Sequence, residues 1–348
     1  MAVGRWPLAV VGWASVGFVE ACDYCLISQG LSPLDTVNGR GVRLTQRYTE
    51  LNSVYEGEEE LANPGAEELY YTTELAGFWL PFQRLTVLGV LPLRVTHVDG
   101  HLAHGHADDA HLGEADEHAE DPEYDGAKHE HSAAPEVPGV DKQTGGDEGI
   151  GDLSFLLRFK AFERHTLEAT TTVAILGGIK APTGATDGRA DDGSYLDAHL
   201  QLGTGATDGL FGLAAHHVRG RWSLAANLLA AVKGEGEEAG HLDYEYGDSV
   251  NYDFNLRCRV WPALAGVGEH QTFMALGLAG ELRDLEHAAG LVVEGTGGHV
   301  VFIQPGLQHY WGSRVILELS AQVPVHHSLL GTQLGDDLKL MGGVTLLF

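Results

Sequence analysis

The sequence predicts an all-β fold, a single antiparallel transmembrane β-barrel of about 12 strands. Residues alternate between apolar and polar with a period of two over most of the chain beyond residue 38. The connections between the alternating segments are short and long in turn, as in barrels of the bacterial outer membrane. Apolar residues make up 44% of the chain, yet no internal stretch approaches the roughly 18 apolar positions of a membrane-spanning helix.

The alternation is clearest in segment 249–261. Its apolar face carries Val250, Tyr252, Phe254, Leu256, Cys258 and Val260, and its polar face carries Asn251, Asp253, Asn255, Arg257 and Arg259. This pattern is typical of a strand with one apolar and one polar face. By the same criterion we predict strands at 40–55, 69–80, 84–98, 151–163, 165–179, 208–218, 221–233, 248–261, 271–283, 298–309, 313–325 and 337–348.

The connections matter because a soluble β-sandwich also alternates. We predict short joins at 81–83, 163–164, 218–220 and 310–312, with a moderately short one at 262–270. We predict longer joins at 56–68, 99–150, 180–207, 234–247, 284–297 and 326–336. This asymmetry is that of a barrel with periplasmic termini, short periplasmic turns and long extracellular loops. Segment 194–207 could be a further strand, but an even strand total favours twelve strands without it.

The N-terminus has the features of a secretory signal peptide. Arg5 precedes an apolar run that ends near Val19, and the small residue Ala21 follows. A short buried helix is the alternative, although glycines and a proline in the run weaken helix formation. We therefore predict a signal peptide at 1–21, a periplasmic segment at 22–38 and the barrel at 39–348.

Two cysteines, Cys22 and Cys25, form a CxxC pair in the predicted periplasmic segment. A disulfide is the favoured interpretation in an oxidising compartment, and half of a metal site or a redox pair are the alternatives. Cleavage after Ala21 would also expose Cys22 to lipidation, although Glu20 makes a poor lipidation signal.

The charge of the chain is strongly negative and unevenly distributed. Lys and Arg number 21 against 49 Asp and Glu, a net charge of −28, which argues against nucleic-acid binding. Segment 99–149, predicted to be a disordered extracellular loop, contains fifteen acids and two bases. Its candidate metal ligands are His101, His104, His106, His111, His118, His129 and His131. Imidazole and carboxylate groups bind Zn²⁺, Ni²⁺ and Cu²⁺, so the loop is predicted to capture such ions; a solvated loop that binds metal only loosely is the alternative.

The polar faces of the predicted strands indicate which charged side chains point into the barrel. The candidate pore-lining residues are Arg94, Arg158, Lys160, Asp253, Arg257, Arg259 and Glu318. Arg43, Arg47, Glu74 and Glu168 are assigned inward positions by the same criterion. Buried ionised groups need partners, so these residues either line a polar path or form ion-pair ladders that hold the barrel rigid.

Catalytic motifs are absent from the sequence. It contains no G-x-S-x-G, no H-E-x-x-H and no phosphate-binding loop. His216 and His217 are the candidates for a hydrolase built on a barrel wall, but the sequence favours a protein that is not an enzyme and requires no cofactor.

Three glycine-rich motifs give a family resemblance. They are Gly149-Ile-Gly-Asp-Leu153, Gly178-Ile-Lys-Ala-Pro-Thr-Gly184 and Leu200-Gln-Leu-Gly-Thr-Gly-Ala-Thr-Asp208. Together they resemble the outer-membrane transporter-like family named for the meta-pathway of phenol degradation. The resemblance implies an outer-membrane channel for small molecules, often aromatic or apolar. The histidine-rich loop departs from the usual pattern of that family.

Three functional hypotheses follow. The leading one is a transport channel in the outer membrane of a Gram-negative bacterium, in contact with its lipids, that passes divalent transition-metal cations captured by the loop. The alternative within transport is a channel for small aromatic or apolar compounds. The third is a non-conducting scaffold for a periplasmic electron carrier, which would dock at 22–38.

Overall fold

The computed structural model describes residues 40–102, 140–237, 243–262 and 270–348. Its strands are β1 Arg40–Glu56, β2 Glu59–Leu61, β3 Glu67–Phe82, β4 Leu85–Leu102, β5 Val140–Gly145, β6 Glu148–Ile150, β7 Leu153–His165, β8 Ala169–Ala181, β9 Asp208–Arg219, β10 Trp222–Val232, β11 Glu235–Glu237, β12 Asp243–Glu245, β13 Ser249–Trp261, β14 His270–Arg283, β15 Glu286–Ala288, β16 Leu291–Val293, β17 Gly298–Trp311, β18 Val315–Leu329 and β19 Thr332–Leu347. Among these residues no helix is long and apolar enough to cross a membrane.

Twelve of these strands form a closed antiparallel barrel. Their order around the wall is β1-β3-β4-β7-β8-β9-β10-β13-β14-β17-β18-β19. The barrel closes where β19 pairs with β1, from Gly41 opposite Leu347 to Glu56 opposite Thr332. Because closure leaves no strand edge unpaired, every backbone amide of the wall can bond within the barrel, which a hydrocarbon environment demands. The predicted fold class and strand number are confirmed.

The outer surface of the barrel is apolar. Outward side chains of neighbouring strands lie side by side, as with Leu224, Leu256 and Leu276 on β10, β13 and β14, of which Leu256 and Leu276 are exposed and Leu224 is partly buried. Exposed aromatic residues mark the end with the short turns: Trp79, Phe82, Phe162, Trp222, Trp261, Trp311 and Phe348. Such a girdle is typical of the membrane interface of outer-membrane barrels.

The inward side chains are buried, and they divide into polar and apolar groups. Charged and amide side chains are most frequent on β13 and β19, and β1, β3, β17 and β18 contribute others. A connected group of apolar residues, here called the apolar lining, covers much of the remaining inner wall. It consists of Ala76, Phe78, Leu88, Val90, Leu156, Ala174, Leu176, Leu210, Ala214, Leu229, Ala231, Phe273, Tyr310, Ile316 and Leu347.

Two predicted loops are shorter than expected. β18 and β19 run on to a tight turn at 330–331, so the predicted long join at 326–336 is wrong. The reason is that β18 continues through Pro324 with a shift in its pairing to β17 rather than ending there. The predicted loop at 99–149 is also strand at both ends, because β4 extends to Leu102 and pairs with β5 and β6.

The end of the barrel opposite the short turns carries a small four-stranded sheet, here called the cap sheet. It is formed by β11, β12, β15 and β16, which come from the connections after β10 and β14. β12 and β15 join the two connections, with Tyr244 opposite Ala288. The cap sheet therefore lies over the extracellular mouth of the barrel.

Candidate functional site

The connection between β8 and β9, residues 182–207, folds back inside the barrel and is here called the inner loop. It contains a single 3₁₀ turn, Ala198–Leu200, and no strand, as the twelve-strand interpretation requires. Leu196 and Leu200 are fully buried against inward residues that include Tyr70 and Val98. Burial of two leucines contributes roughly 3–6 kcal/mol toward holding the inner loop against the wall.

Side chains of β4 bond to the backbone of the inner loop. The Arg94 Nη1 donates to the carbonyl oxygens of Gln201 and Leu202 at 3.3 and 3.2 Å. The Thr96 hydroxyl donates to the Leu200 carbonyl at 3.2 Å. These bonds satisfy carbonyl groups of an irregular segment that would otherwise be buried without partners. The inner loop is therefore fixed in one position across the lumen.

Asp152 connects three chain segments at the base of the inner loop. Its Oδ1 accepts hydrogen bonds from the backbone amides of Thr183 and Gly184 at 3.0 and 2.9 Å. Its Oδ2 accepts from the amide and the hydroxyl of Thr204 at 2.9 and 3.0 Å. The Lys180 Nζ lies 3.1 Å from Asp152 and 3.0 Å from Asp208. We call Asp152, Lys180, Thr204 and Asp208 the anchor.

The anchor needs glycine at two positions. A Cβ on Gly184 would lie 2.6 Å from the Gly203 Cα, and a Cβ on Gly203 would lie 2.6 Å from the Gly184 oxygen and 2.7 Å from the Asp152 Oδ1. The contacts between Gly184 and Gly203 involve backbone atoms on both sides, so they cannot be relieved by a side-chain rotation. The two glycines thus allow the ends of the inner loop to approach each other.

The three glycine-rich motifs therefore converge in space. Asp152 comes from the first, Lys180, Thr183 and Gly184 from the second, and Gly203, Thr204 and Asp208 from the third. Sequence reasoning recognised the motifs but did not predict their contact. The signal available in the sequence was Lys180, which lies in the chain between Asp152 and Asp208, each of them next to a glycine.

His199 links the inner loop to the extracellular end of β3. Its Nε2 lies 3.0 Å from a carboxylate oxygen of Glu68, and its Nδ1 lies 3.1 Å from Asp197. Burial disfavours the charged imidazole, but the carboxylates of Glu68 and Asp197 outweigh burial and raise the pKa of His199 well above its usual value. The imidazolium form, which donates to both carboxylates, is therefore the form present at neutral pH.

A cavity lies between the inner loop and the cap sheet. It encloses about 510 Å³ together with the solvent onto which it opens. Its lining residues are Arg94, Ala198, His199, Gln201, Gly203, Thr204, Lys233, Tyr246, Gly247, Ser249, Arg283 and Glu286. The Tyr246 hydroxyl donates to the Ala198 carbonyl at 2.5 Å, which joins the cap side of the cavity to the inner loop.

The structure places every predicted pore-lining residue on an inward position. Arg94, Arg158, Asp253, Arg257 and Glu318 are buried, and Lys160 and Arg259 are partly buried near the short-turn end. Whether they line a conducting path stays a prediction.

Several inward charges have partners. Arg43 pairs with Glu318 at 2.8 Å and Arg47 with Glu74 at 3.4 Å, both deep in the barrel. Arg257 donates to Gln308 at 3.2 Å. The first two contacts are ion pairs of the kind expected for a ladder, the third is to a neutral amide, and the choice between a ladder and a polar path stays a prediction.

Glu168 is a correction to the predicted inward set. It lies in the turn between β7 and β8, where its side chain is 76% exposed and pairs with Arg219 on the surface at 3.2 Å. β7 extends to His165, two residues beyond its predicted end, which moves Glu168 out of the strand and into the turn.

The predicted metal and disulfide sites lie outside the described residues. This holds for His104, His106, His111, His118, His129 and His131, and for Cys22 and Cys25. His101 lies on β4, where its backbone pairs with Asp141. In the part of the chain that is described, no group of three or more His, Cys, Asp or Glu side chains is arranged to hold a metal ion. These sites stay predictions.

The two histidines considered for a hydrolase face opposite sides of β9. His216 points inward, with its Nε2 2.7 Å from the Ser223 hydroxyl. His217 points outward, with its Nδ1 2.8 Å from the Thr171 hydroxyl. They therefore cannot act together on one substrate.

Comparison with known proteins identifies the family. The model of the family described as "Putative MetA-pathway of phenol degradation" matches residues 113–328. The chain belongs to this family. The match includes the anchor and the inner loop, so the resemblance carried by the three motifs is confirmed.

Solved structures agree on the fold. An outer membrane channel from Pseudomonas putida F1 has 13% sequence identity and a TM-score of 0.57, with 89% of this chain and 96% of that chain covered. The toluene transporter TodX of Pseudomonas putida has 9% identity and a TM-score of 0.42, covering 97% and 96%, a likeness too low to support an argument. No curated protein matches the sequence. The barrel is therefore of the Gram-negative outer-membrane kind, and the predicted localisation is confirmed.

Proposed function

We propose that the protein is an outer-membrane channel for small aromatic or other apolar compounds. The apolar lining is the observation that carries this proposal. Ten of the twelve barrel strands contribute to it, among them β3 with Phe78, β14 with Phe273 and β17 with Tyr310. A solute that crosses the barrel has to pass over this surface.

An apolar surface of this kind selects against ions. A hydrated divalent cation would have to give up water along the lining without receiving polar ligands in exchange, which costs many kcal/mol. An aromatic solute loses little on leaving water and gains contact with apolar and aromatic side chains. The lining therefore favours the aromatic hypothesis over the metal hypothesis, and the phenol-related description of the family supports the same choice.

The inner loop gives the channel its selectivity in this proposal. It is held across the lumen by the anchor, by Arg94 and by His199, so a solute has to pass between the inner loop and the opposite wall. A narrow passage suits a single aromatic ring better than the general traffic of a wide porin. The histidine-rich loop is then a surface feature that solute passage does not require.

Uptake by whole cells tests the proposal, because the lipopolysaccharide leaflet slows the entry of apolar solutes. A porin-deficient Gram-negative host that produces the protein should take up labelled toluene or phenol several-fold faster than the same host without it. Ala174→Trp, which fills the apolar lining, should remove the gain. The matched control Ile175→Trp changes the adjacent outward residue of β8 and should keep it.

The metal-channel hypothesis differs in requiring the loop histidines for transport, whereas the aromatic-channel proposal does not. Replacing the seven loop histidines of segment 99–149 by asparagine should leave aromatic uptake unchanged. A protein that leaves aromatic uptake at the host's background, yet passes Zn²⁺ in a planar bilayer only while those histidines are present, would reject the proposal.

A further inference from the structure

We infer that the outer surface at the turn between β9 and β10 is a binding site for an anionic phospholipid of the periplasmic leaflet, whose phosphate group lies among basic side chains. The site is a groove of about 470 Å³, here called the basic groove, lined by His217, Arg219, Arg221, Trp222, Leu224 and Leu256. The inference concerns the lipid around the barrel, so it does not depend on which solute the channel passes.

A tight turn brings the polar side chains of the basic groove together. Gly220 has a positive φ of 59°, which allows β9 and β10 to be joined by only two residues. Arg219 therefore lies opposite Trp222, and both side chains are exposed on the outer face. At the next outward position of each strand, His217 lies opposite Leu224. The groove is thus charged next to the turn and becomes apolar away from it.

This change in polarity follows the direction into the membrane. Trp222 belongs to the girdle of exposed aromatic residues, which marks the level of the lipid headgroups. Leu224 and Leu256 lie opposite each other on β10 and β13, farther from the turn, where hydrocarbon surrounds the barrel. A soluble phosphate would leave these leucines uncovered, whereas the acyl chains of a phospholipid would pack on them. The groove therefore fits a lipid better than a soluble anion.

Both arginines of the basic groove have donors for a phosphate group. Arg221 lies over the Trp222 ring, with its Cζ 5.6 Å from the ring centre. Arg219 pairs with Glu168, but the two side chains are 70% and 76% exposed, so water screens this pair and it contributes little. Each guanidinium carries five N–H donors, and arginine binds phosphate through paired hydrogen bonds.

The charge at this end of the barrel also favours an anionic partner. We counted the four short turns that the structure describes, each with two residues on either side: 81–86, 164–170, 218–223 and 310–316. Aspartate and glutamate are represented there by Glu168, and lysine and arginine by Arg84, Arg164, Arg219, Arg221 and Arg314. The chain as a whole has a net charge of −28, so this end has the opposite sign. Basic residues at a membrane surface attract anionic lipids.

Quenching of Trp222 fluorescence by brominated lipids tests the inference, because bromine quenches indole only at close range. The full chain, with every other tryptophan replaced by phenylalanine, is placed in bilayers of phosphatidylcholine and phosphatidylglycerol. Brominating one lipid at a time gives the binding constant of phosphatidylglycerol relative to phosphatidylcholine at Trp222. At about 0.15 M salt, where distant charges are screened, this ratio should be about fivefold or more.

Two double variants separate the site from the general charge of this end. Arg219→Gln with Arg221→Gln removes both basic groups that flank Trp222 and should lower the ratio to about one. Arg84→Gln with Arg314→Gln is the matched control, since it removes the same charge from other short turns, outside the groove. The control should keep the ratio of the parent protein. All four arginines are exposed, so we expect both variants to fold.

Three results would overturn the inference. The first is equal quenching by the two lipids in the parent protein, and the second is an unchanged ratio without the arginines of the groove. The third is an equal fall in both double variants, because the attraction would then come from the whole end of the barrel.

Glycerol phosphate distinguishes a lipid from a soluble ligand, because it has the phosphate group without acyl chains. Added at millimolar concentration, it should leave the ratio unchanged. A fall of the ratio to about one would assign the basic groove to soluble phosphates and contradict the lipid site.

Discussion

At the scale of single residues, the anchor concentrates charge in a place that water does not reach. Asp152, Lys180 and Asp208 are each 2% exposed or less, and every oxygen of Asp152 is hydrogen-bonded. Such a group contributes little net stability when complete, but removing one member leaves the others buried and unpaired.

We therefore expect Asp152→Asn to destabilise the protein. The substitution removes one of the two carboxylates that pair with Lys180 and replaces an acceptor oxygen at Thr204 by an amide donor, a loss of about 1–3 kcal/mol in the free energy of unfolding. Urea unfolding in phospholipid vesicles measures it. Asp192→Asn, an exposed carboxylate of the inner loop that accepts bonds from Ser194, is the control and should leave the unfolding midpoint unchanged. Equal midpoints for the two variants would show that the anchor is dispensable.

The pairing of His199 predicts a dependence on pH. Because its folded-state pKa is raised well above the ordinary value of about 6.5, its ion pairs contribute fully below that value and are lost as the pH rises through the raised pKa. The stability of the wild type should therefore fall on the alkaline side by about 1–3 kcal/mol.

His199→Gln provides the comparison for this pH dependence. The variant should be less stable than the wild type at neutral pH, and the difference should shrink as the pH rises. Unfolding free energies measured at a series of pH values give both curves. Two parallel curves would mean that His199 does not hold its proton in the folded protein.

The sequence predicted the inward charges well, because alternation assigns each strand residue to a face. Arg43, Arg47 and Arg257 are inward for this reason. Alternation does not report which carboxylate a given arginine meets, since that depends on the register between strands. The pairing of Arg43 with Glu318 joins residues far apart in the chain whose strands, β1 and β18, flank β19 where the barrel closes.

At the scale of elements, the inner loop depends on the close approach of its two ends. Gly184→Ala would place a Cβ 2.6 Å from the Gly203 Cα, so one end of the inner loop has to move away from the wall. We expect the barrel to form but the inner loop to detach, with a several-fold increase in single-channel conductance in planar bilayers.

Gly177→Ala is the matched control for this substitution. Gly177 lies on β8, and a Cβ there would meet no atom within 4 Å. Its conductance should equal that of the wild type. If Gly184→Ala also conducts like the wild type, the inner loop does not narrow the channel.

The position of the inner loop could not be predicted from its sequence. Period-two alternation identifies strands, but a loop that folds inward and a loop that extends into solvent have similar composition. Leu196, Leu200 and Leu202 lie in segment 194–207, which the sequence analysis considered as a further strand. They are buried because the inner loop packs against the inner wall of the barrel.

At the scale of the whole molecule, the barrel could be predicted because the membrane requires every strand to have one apolar face, and this requirement is visible in the sequence as alternation. Each strand has to present one face to lipid, so the alternation is long and regular, and all twelve predicted strands are present. One of the two exceptions was the last extracellular turn at 330–331, where Ser328 and the polar residues of 332–337 resemble a loop but pair as strand. Where strands extend beyond the membrane, neither face has to be apolar, so the sequence there does not alternate between apolar and polar residues.

The last prediction concerns the apolar outer surface of the barrel. Leu256 is an outward residue in the middle of β13, flanked by Leu224 and Leu276 on the neighbouring strands. Leu256→Arg would place a charge in hydrocarbon and should reduce the free energy of unfolding by about 2–4 kcal/mol in lipid vesicles. Val250→Arg, on the same face near the extracellular end of β13, should cost only about 0–1 kcal/mol because the arginine can reach the headgroups. Equal costs at the two positions would mean that the membrane lies at a different height on the barrel than the aromatic girdle indicates.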